Sequence, residues 1–178
     1  MKRTSLGRLL YLSHLSQPSH ERAVYRAIRQ LQADTVVEFG VGMGVRSRRM
    51  IATSLRYHSA KAVRFVGIDM FEARSADAPG MTLKRTHRML SQSGAQIQLI
   101  PGDALSALAR SANALTGTDV IVLGSKLDIE PLWFYLPRMM HEDSQLLIEH
   151  CDGKPRFEQL GAGQVAEKAA EMKKSRAA

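Results

Sequence analysis

Residues Thr35–Gly44, TVVEFGVGMG, decide the fold. Thr35, Val36, Val37 and Phe39 suit a buried strand, and they run straight into glycines at 40, 42 and 44. An amphipathic run follows at once, so the pattern predicts a strand, a tight turn and a helix opening beneath it. Glycine suits such a turn because it adopts dihedrals that other residues avoid and leaves the backbone bare for a ligand. The free amides of the following helix start, with its dipole, favour an electron-rich group above them. Glu38 places an acid near the carboxyl end of the strand. The stretch reads as a binding site for a nucleotide-like cofactor.

Upstream, residues 1–18 read as a short helix or arm, and Ser19 as the N-cap of a helix running to about Leu31. Downstream, the helix at about 44–57 is expected to turn Val45, Ile51 (or Ala52) and Leu55 inward, with Arg46, Arg48, Arg49 and Arg56 mostly outward. Further strands are expected at 62–69, 97–100, 118–123 and 145–148. Helices are expected at 81–91, 104–115 and 129–140, with His87 on the packed side of the first. Alternating strands and helices imply parallel pairing through right-handed crossovers, hence a doubly wound, mostly parallel open α/β sheet with helices on both faces. Such sheets bind ligands beyond the carboxyl ends of their strands. Those ends are polar or glycine-rich here: Glu38-Phe39-Gly40, Asp69, Asp103, Gly124-Ser125 and Glu149-His150. Three regions follow: a helical arm at 1–33, the binding domain at 34–150, and a loop with a basic, fraying tail at 151–178.

The chain has 178 residues, 44% hydrophobic and 24% charged, enough for one globular domain with a proper core. No apolar run approaches the roughly 20 residues that span a bilayer, and the amino terminus lacks the apolar core of a signal peptide. A single cysteine, Cys151, excludes an internal disulfide and fits the cytoplasm. The net charge of +8 is uneven: residues 1–33 carry six Lys/Arg against one acid, and 41–64 carry six against none. This is either a solvated surface or a contact for RNA or another polyanion, and no aromatic residues interleave the basic runs as a single-strand platform requires.

In order and placement, the first three strand ends resemble the class I S-adenosylmethionine-dependent methyltransferases, with a Rossmann-like core. That family carries an acid and then Gly-x-Gly-x-Gly on its first strand, matched by Glu38, Gly40, Gly42 and Gly44. Its second strand ends in an acid that binds the ribose hydroxyls, and Asp69 in VGIDMF stands there, followed by Met70 and Phe71 near the adenine. An acceptor-only carboxylate suits a diol that donates twice. Its third strand leads to an acid near the adenine amino group, matched by Asp103 with Ala104 beside it, although Asp103 equally reads as a helix cap. The resemblance covers residues 33–150 and implies S-adenosyl-L-methionine as cofactor.

A dinucleotide (NAD-type) oxidoreductase needs Gly-x-Gly-x-x-Gly, which would put glycine at 45, where Val45 stands. No Gly-Lys-Ser/Thr follows, which excludes a P-loop. The family's metal-dependent O-methyltransferases carry an acid after the fourth strand, where this chain has Gly124, so metal-independent chemistry is expected. The 28 residues after His150 show no counterpart of the family's last strands, which implies a minimal core of about five. For proton removal from an acceptor, the candidates at the strand ends are His150, Glu149 and Lys126, each with a structural alternative as a loop residue, a paired acid or a helix-opening residue. Two readings remain: a methyltransferase acting on a small molecule, and a cofactor-binding or regulatory module without efficient chemistry. Neither calls for a membrane.

Overall fold

The computed structural model describes residues 5–75 and 77–177. Its centre is one six-stranded sheet in the order β3-β2-β1-β4-β5-β6, built from β1 (Thr35–Phe39), β2 (Arg64–Asp69), β3 (Gln96–Pro101), β4 (Thr118–Leu123), β5 (Met140–His150) and β6 (Arg156–Gly161). The first five pair in parallel and only β6 runs antiparallel, against β5. The order reverses at β1, between β2 and β4, so the crevice at the carboxyl end of β1 is the switch point where open α/β sheets take ligands.

The helices are α1 (Leu6–His14), α2 (Arg22–Leu31), α3 (Val45–Ser54), α4 (Leu83–Ser91), α5 (Ala104–Ser111), α6 (Leu136–Met139) and α7 (Ala162–Ala177). They cover both faces. One face buries Val37, Ile68, Ile121 and Leu146 against α5, α6 and α7, and the other buries Val36, Phe65, Val120 and Leu147 against α2 and α3. Period-two alternation along buried strands feeds the two cores in turn. The described part of the expected arm, residues 5–33, joins the core, because Val24, Tyr25 and Ile28 of α2 are fully buried in the second core.

The structure corrects the reading of residues 151–178. Residues 156–161 form a sixth strand, and α7 anchors Val165 and Ala169 in the protein rather than fraying. Ser19 opens a 3₁₀ turn, Ser19–Glu21, instead of capping α2. The helix expected at 129–140 is a 3₁₀ segment, Glu130–Phe134, followed by the single turn of α6. Pro131 and Pro137 each stand in the first turn of one of these pieces, and proline is accepted there while it would break a continuous helix. His87 is exposed beside Ser91, and Thr86 and Leu90 fill the packed face of α4.

Candidate active site

β1 leaves the sheet at Phe39, and Gly40, Gly42 and Gly44 follow with φ of +84°, +57° and +67°. At Gly40 the left-handed backbone coincides with open space, since an added Cβ would meet nothing nearer than the Gly124 Cα at 4.0 Å. Gly44 is forced twice over: it turns the chain into α3, and a Cβ there would overlap the Met89 methyl. No side chain caps the start of α3, which leaves its first amides available.

A cleft of about 330 Å³ opens beyond the strand ends. Gly40 from β1, Asp69 and Met70 from β2, and Asp103 and Ala104 after β3 all line it, with Lys126 and Asp128 on the far side. Phe71 is buried and stands outside the lining, so only Met70 of that pair faces the cleft.

Asp69 is tied into this wall. Its Oδ2 accepts from the Gly42 amide at 2.8 Å, joining β2 to the glycine turn. Its Oδ1 faces the Arg74 guanidinium, with Nη2 at 2.8 Å and Nε at 3.1 Å. Asp103 caps α5, accepting from the Ser106 amide at 2.8 Å, and that amide and its neighbours hold the carboxyl below the usual range. It is a cap and a cleft residue at once.

Behind Gly40 lies a second cavity, of about 290 Å³, reached by Glu21, Glu38, Arg46 and Glu149. Glu38 is fully buried; its Oε1 accepts from Arg46 Nε at 2.7 Å and its Oε2 from the Ser47 hydroxyl. Arg46 reaches on from Nη1 to Glu149 at 3.0 Å, and the other Glu149 oxygen meets His20 Nε2 at 3.0 Å. Phe157 of β6 lies over both side chains, stacked with the His20 ring at 5.9 Å and 5.7 Å from the Arg46 guanidinium. Burial pushes the Glu38 carboxyl up and Arg46 opposes it. For Arg46, burial is outweighed by the Glu38 and Glu149 carboxylates, which hold it charged.

The expected residues therefore divide. Gly40, Asp69, Met70, Asp103, Ala104 and Lys126 meet in the first cleft, Glu38, Gly44 and Glu149 stand at the second cavity, and Gly42 joins the two walls through Asp69. His150 lines neither; it points to Glu158, 3.0 Å away, which also holds Lys168 at 2.8 Å. Arg46, read as outward, turns in, and Val45, read as inward, is 53% exposed. Sequence reasoning also passed over His20 and Arg74. The one signal for Arg46 was Glu38 itself, since an acid within an apolar, buried strand needs a cationic partner.

No family model matches the sequence, and no curated protein matches it. Solved structures do. The O-methyltransferase TomG of Streptomyces achromogenes, solved with S-adenosylmethionine, superposes with a TM-score of 0.56 at 16% identity, over 94% of this chain and 78% of that one. A Klebsiella pneumoniae protein described as an O-methyltransferase gives 0.55 at 16%, over 81% of this chain. The Bacillus cereus O-methyltransferase, solved with S-adenosylhomocysteine, gives 0.52 at 14%, over 84% of this chain and 67% of that one. The matched region spans 64% of the Klebsiella protein's length. The likeness establishes the fold, the Rossmann-like architecture of these methyltransferases.

Proposed function

We propose that the chain binds S-adenosylmethionine in the first cleft and transfers its methyl group, without a metal, to a small-molecule acceptor entering from the second cavity. The observation that carries this reading is convergence: Gly40, Asp69 and Asp103, from three different strand ends, line one cleft at the switch point of a sheet that has the methyltransferase fold. The residues suit the ligand. Gly40 presents bare backbone, Asp69 places a carboxylate, paired here with Arg74, where a ribose diol would donate, and Asp103 keeps Oδ2 free of its capping bond for an adenine amino group. The uncapped amides of α3 can receive an anionic group such as the cofactor's carboxylate.

S-adenosylmethionine would supply an electrophilic methyl group, and the protein's part would be to hold the acceptor in line and take its proton. Both oxygens of Glu149 are engaged, which suits it to orienting His20 rather than to accepting the proton itself. With His20 Nε2 donating to Glu149, Nδ1 carries the lone pair, and of the two histidines His20 is the one joined to a residue, Glu149, that lines the second cavity. Lys126, exposed on the far wall of the cleft, can neutralise an acidic acceptor. Metal independence rests on the surroundings of Gly124: a Cβ there would sit 3.1 Å from the Phe39 carbonyl and 3.8 Å from an Arg46 nitrogen, where a cation is already seated. A solitary cysteine fits a cytoplasmic setting, and no described helix is long and apolar enough to cross a membrane.

A second reading, a binding module without turnover, draws on the saturated pairing of Glu38, Arg46 and Glu149. RNA as acceptor draws only on the +8 charge. Titration calorimetry with S-adenosylmethionine, S-adenosylhomocysteine and NAD separates the classes. The first two should bind, NAD should not, and Asp69→Ala should weaken binding by about 1–3 kcal/mol, the scale of hydrogen bonds to a charged group. NAD binding alone would make the protein an oxidoreductase. Label transfer to a panel of phenols, amines and RNA then distinguishes enzyme from module.

A further inference from the structure

We propose that the Arg74 side chain occupies the ribose subsite of the cofactor-free protein, and that an adenosyl cofactor must displace it from Asp69. The inference rests on the cofactor reading above and adds a residue that controls access to it. A carboxylate has about four acceptor positions. On Asp69 the Gly42 amide takes one at Oδ2, and Arg74 covers Oδ1 with Nη2 at 2.8 Å and Nε at 3.1 Å, with the Phe71 amide also at 3.4 Å. A vicinal diol needs two acceptors facing it. One free position, on the oxygen that holds the glycine turn, does not suffice, so Arg74 has to let go.

The guanidinium is enclosed but incompletely bonded: its Nη2 is buried near Asp69 without a hydrogen bond of good geometry. The Arg74 side chain is 15% exposed, and its Nη1 lies 3.5 Å from the Met81 carbonyl. A Cβ on Gly80 would overlap the guanidinium, so the missing side chain at 80 makes its room. The segment carrying Arg74 is fastened to the glycine turn at its far end too, where the Met81 amide donates to the Gly42 carbonyl at 3.1 Å. Rotation of one long side chain opens the subsite while this frame stays in place. The observed affinity is then the intrinsic affinity reduced by the fraction of molecules with Arg74 withdrawn.

Two independent substitutions clear the subsite. Arg74→Ala removes the guanidinium, and Gly80→Ala, at a residue with no left-handed φ, pushes it aside while keeping its charge. In titration calorimetry with S-adenosylhomocysteine, both should bind about three- to thirty-fold tighter than the unaltered protein. Equal or weaker binding by both variants, with the unaltered protein binding, would overturn the latch and leave the cofactor reading standing. If neither the unaltered protein nor the variants, all melting cooperatively, bound S-adenosylhomocysteine or S-adenosylmethionine, the cofactor reading would fall and the latch with it.

Discussion

The end of β5 carries the same kinds of groups on its two faces, in opposite circumstances. Glu149 turns toward Arg46 and His20, whose side chains are 11% and 16% exposed, and through Arg46 it reaches the fully buried Glu38. His150, the next residue, turns the other way to Glu158 and Lys168, which are 38% and 41% exposed. Each cluster joins acids to a histidine and a longer cation. The first lies behind Gly40 and is roofed by Phe157; the second is a clip between β6 and α7 in contact with water. A charge pair removed from water must be complete or it is costly, whereas a wet pair gives little whether made or broken. Burial, more than residue type, decides which cluster shapes the site.

The sharpest way to break this contrast is Glu38→Ala. It leaves Arg46 buried with one carboxylate instead of two, and should cost about 3–5 kcal/mol, a fall in melting temperature of roughly 10 °C. The triple variant Glu38→Leu/Arg46→Met/Glu149→Gln, with no uncompensated charge left in the cluster, should recover most of that loss. A melt of Glu38→Ala within about 2 °C of the unaltered protein would mean the cluster is effectively solvated, like its neighbour. Glu149→Gln is gentler. It keeps the Glu38 pair and removes the charge between Arg46 and His20, so about 1–3 kcal/mol is expected in the same melts.

The contrast also marks what sequence could tell. The glycine turn and the strand-end acids were legible because their chemistry is local: apolar β-branched residues, then glycines, then acids at the ends of apolar runs. α3 was not. Its buried face carries Ser47, Thr53 and Ser54 beside Met50 and Ile51, so amphipathic reasoning put Val45 inside and Arg46 outside, the reverse of the structure. The hydroxyl of Ser47 is buried because Glu38 needs it, a long-range demand with no periodic signature. β6 was hidden for a related reason. Arg156, Glu158 and Gln159 dilute its apolar pattern, as suits an edge strand paired on one side only, and its pairing with β5 is decided across a turn. Nor could adjacency separate Glu149 from His150, since strand geometry sends neighbours to opposite faces without saying which face closes over.

Glu158 offers the smallest and most specific test of the same idea. Lys168 and, beside it, His150 hold its carboxyl below the ordinary glutamate value of 4.5. A depressed carboxyl contributes stability above its unfolded value and loses it as acid protonates the folded form, so the contribution is present at pH 6 and fades below about 4.5. Because both Glu158 and Lys168 are more than a third exposed, screening keeps the whole effect under about 1 kcal/mol. Melting temperatures of Glu158→Gln should therefore lie about 1–2 °C below those of the unaltered protein at pH 6, and the gap should close by pH 3.5. A constant gap across that range would assign the loss to packing of α7 on β6 rather than to charge. A gap as large as that of Glu38→Ala would mean that the outer clip is as dry as the inner cluster, and that solvent does not distinguish the two faces of β5.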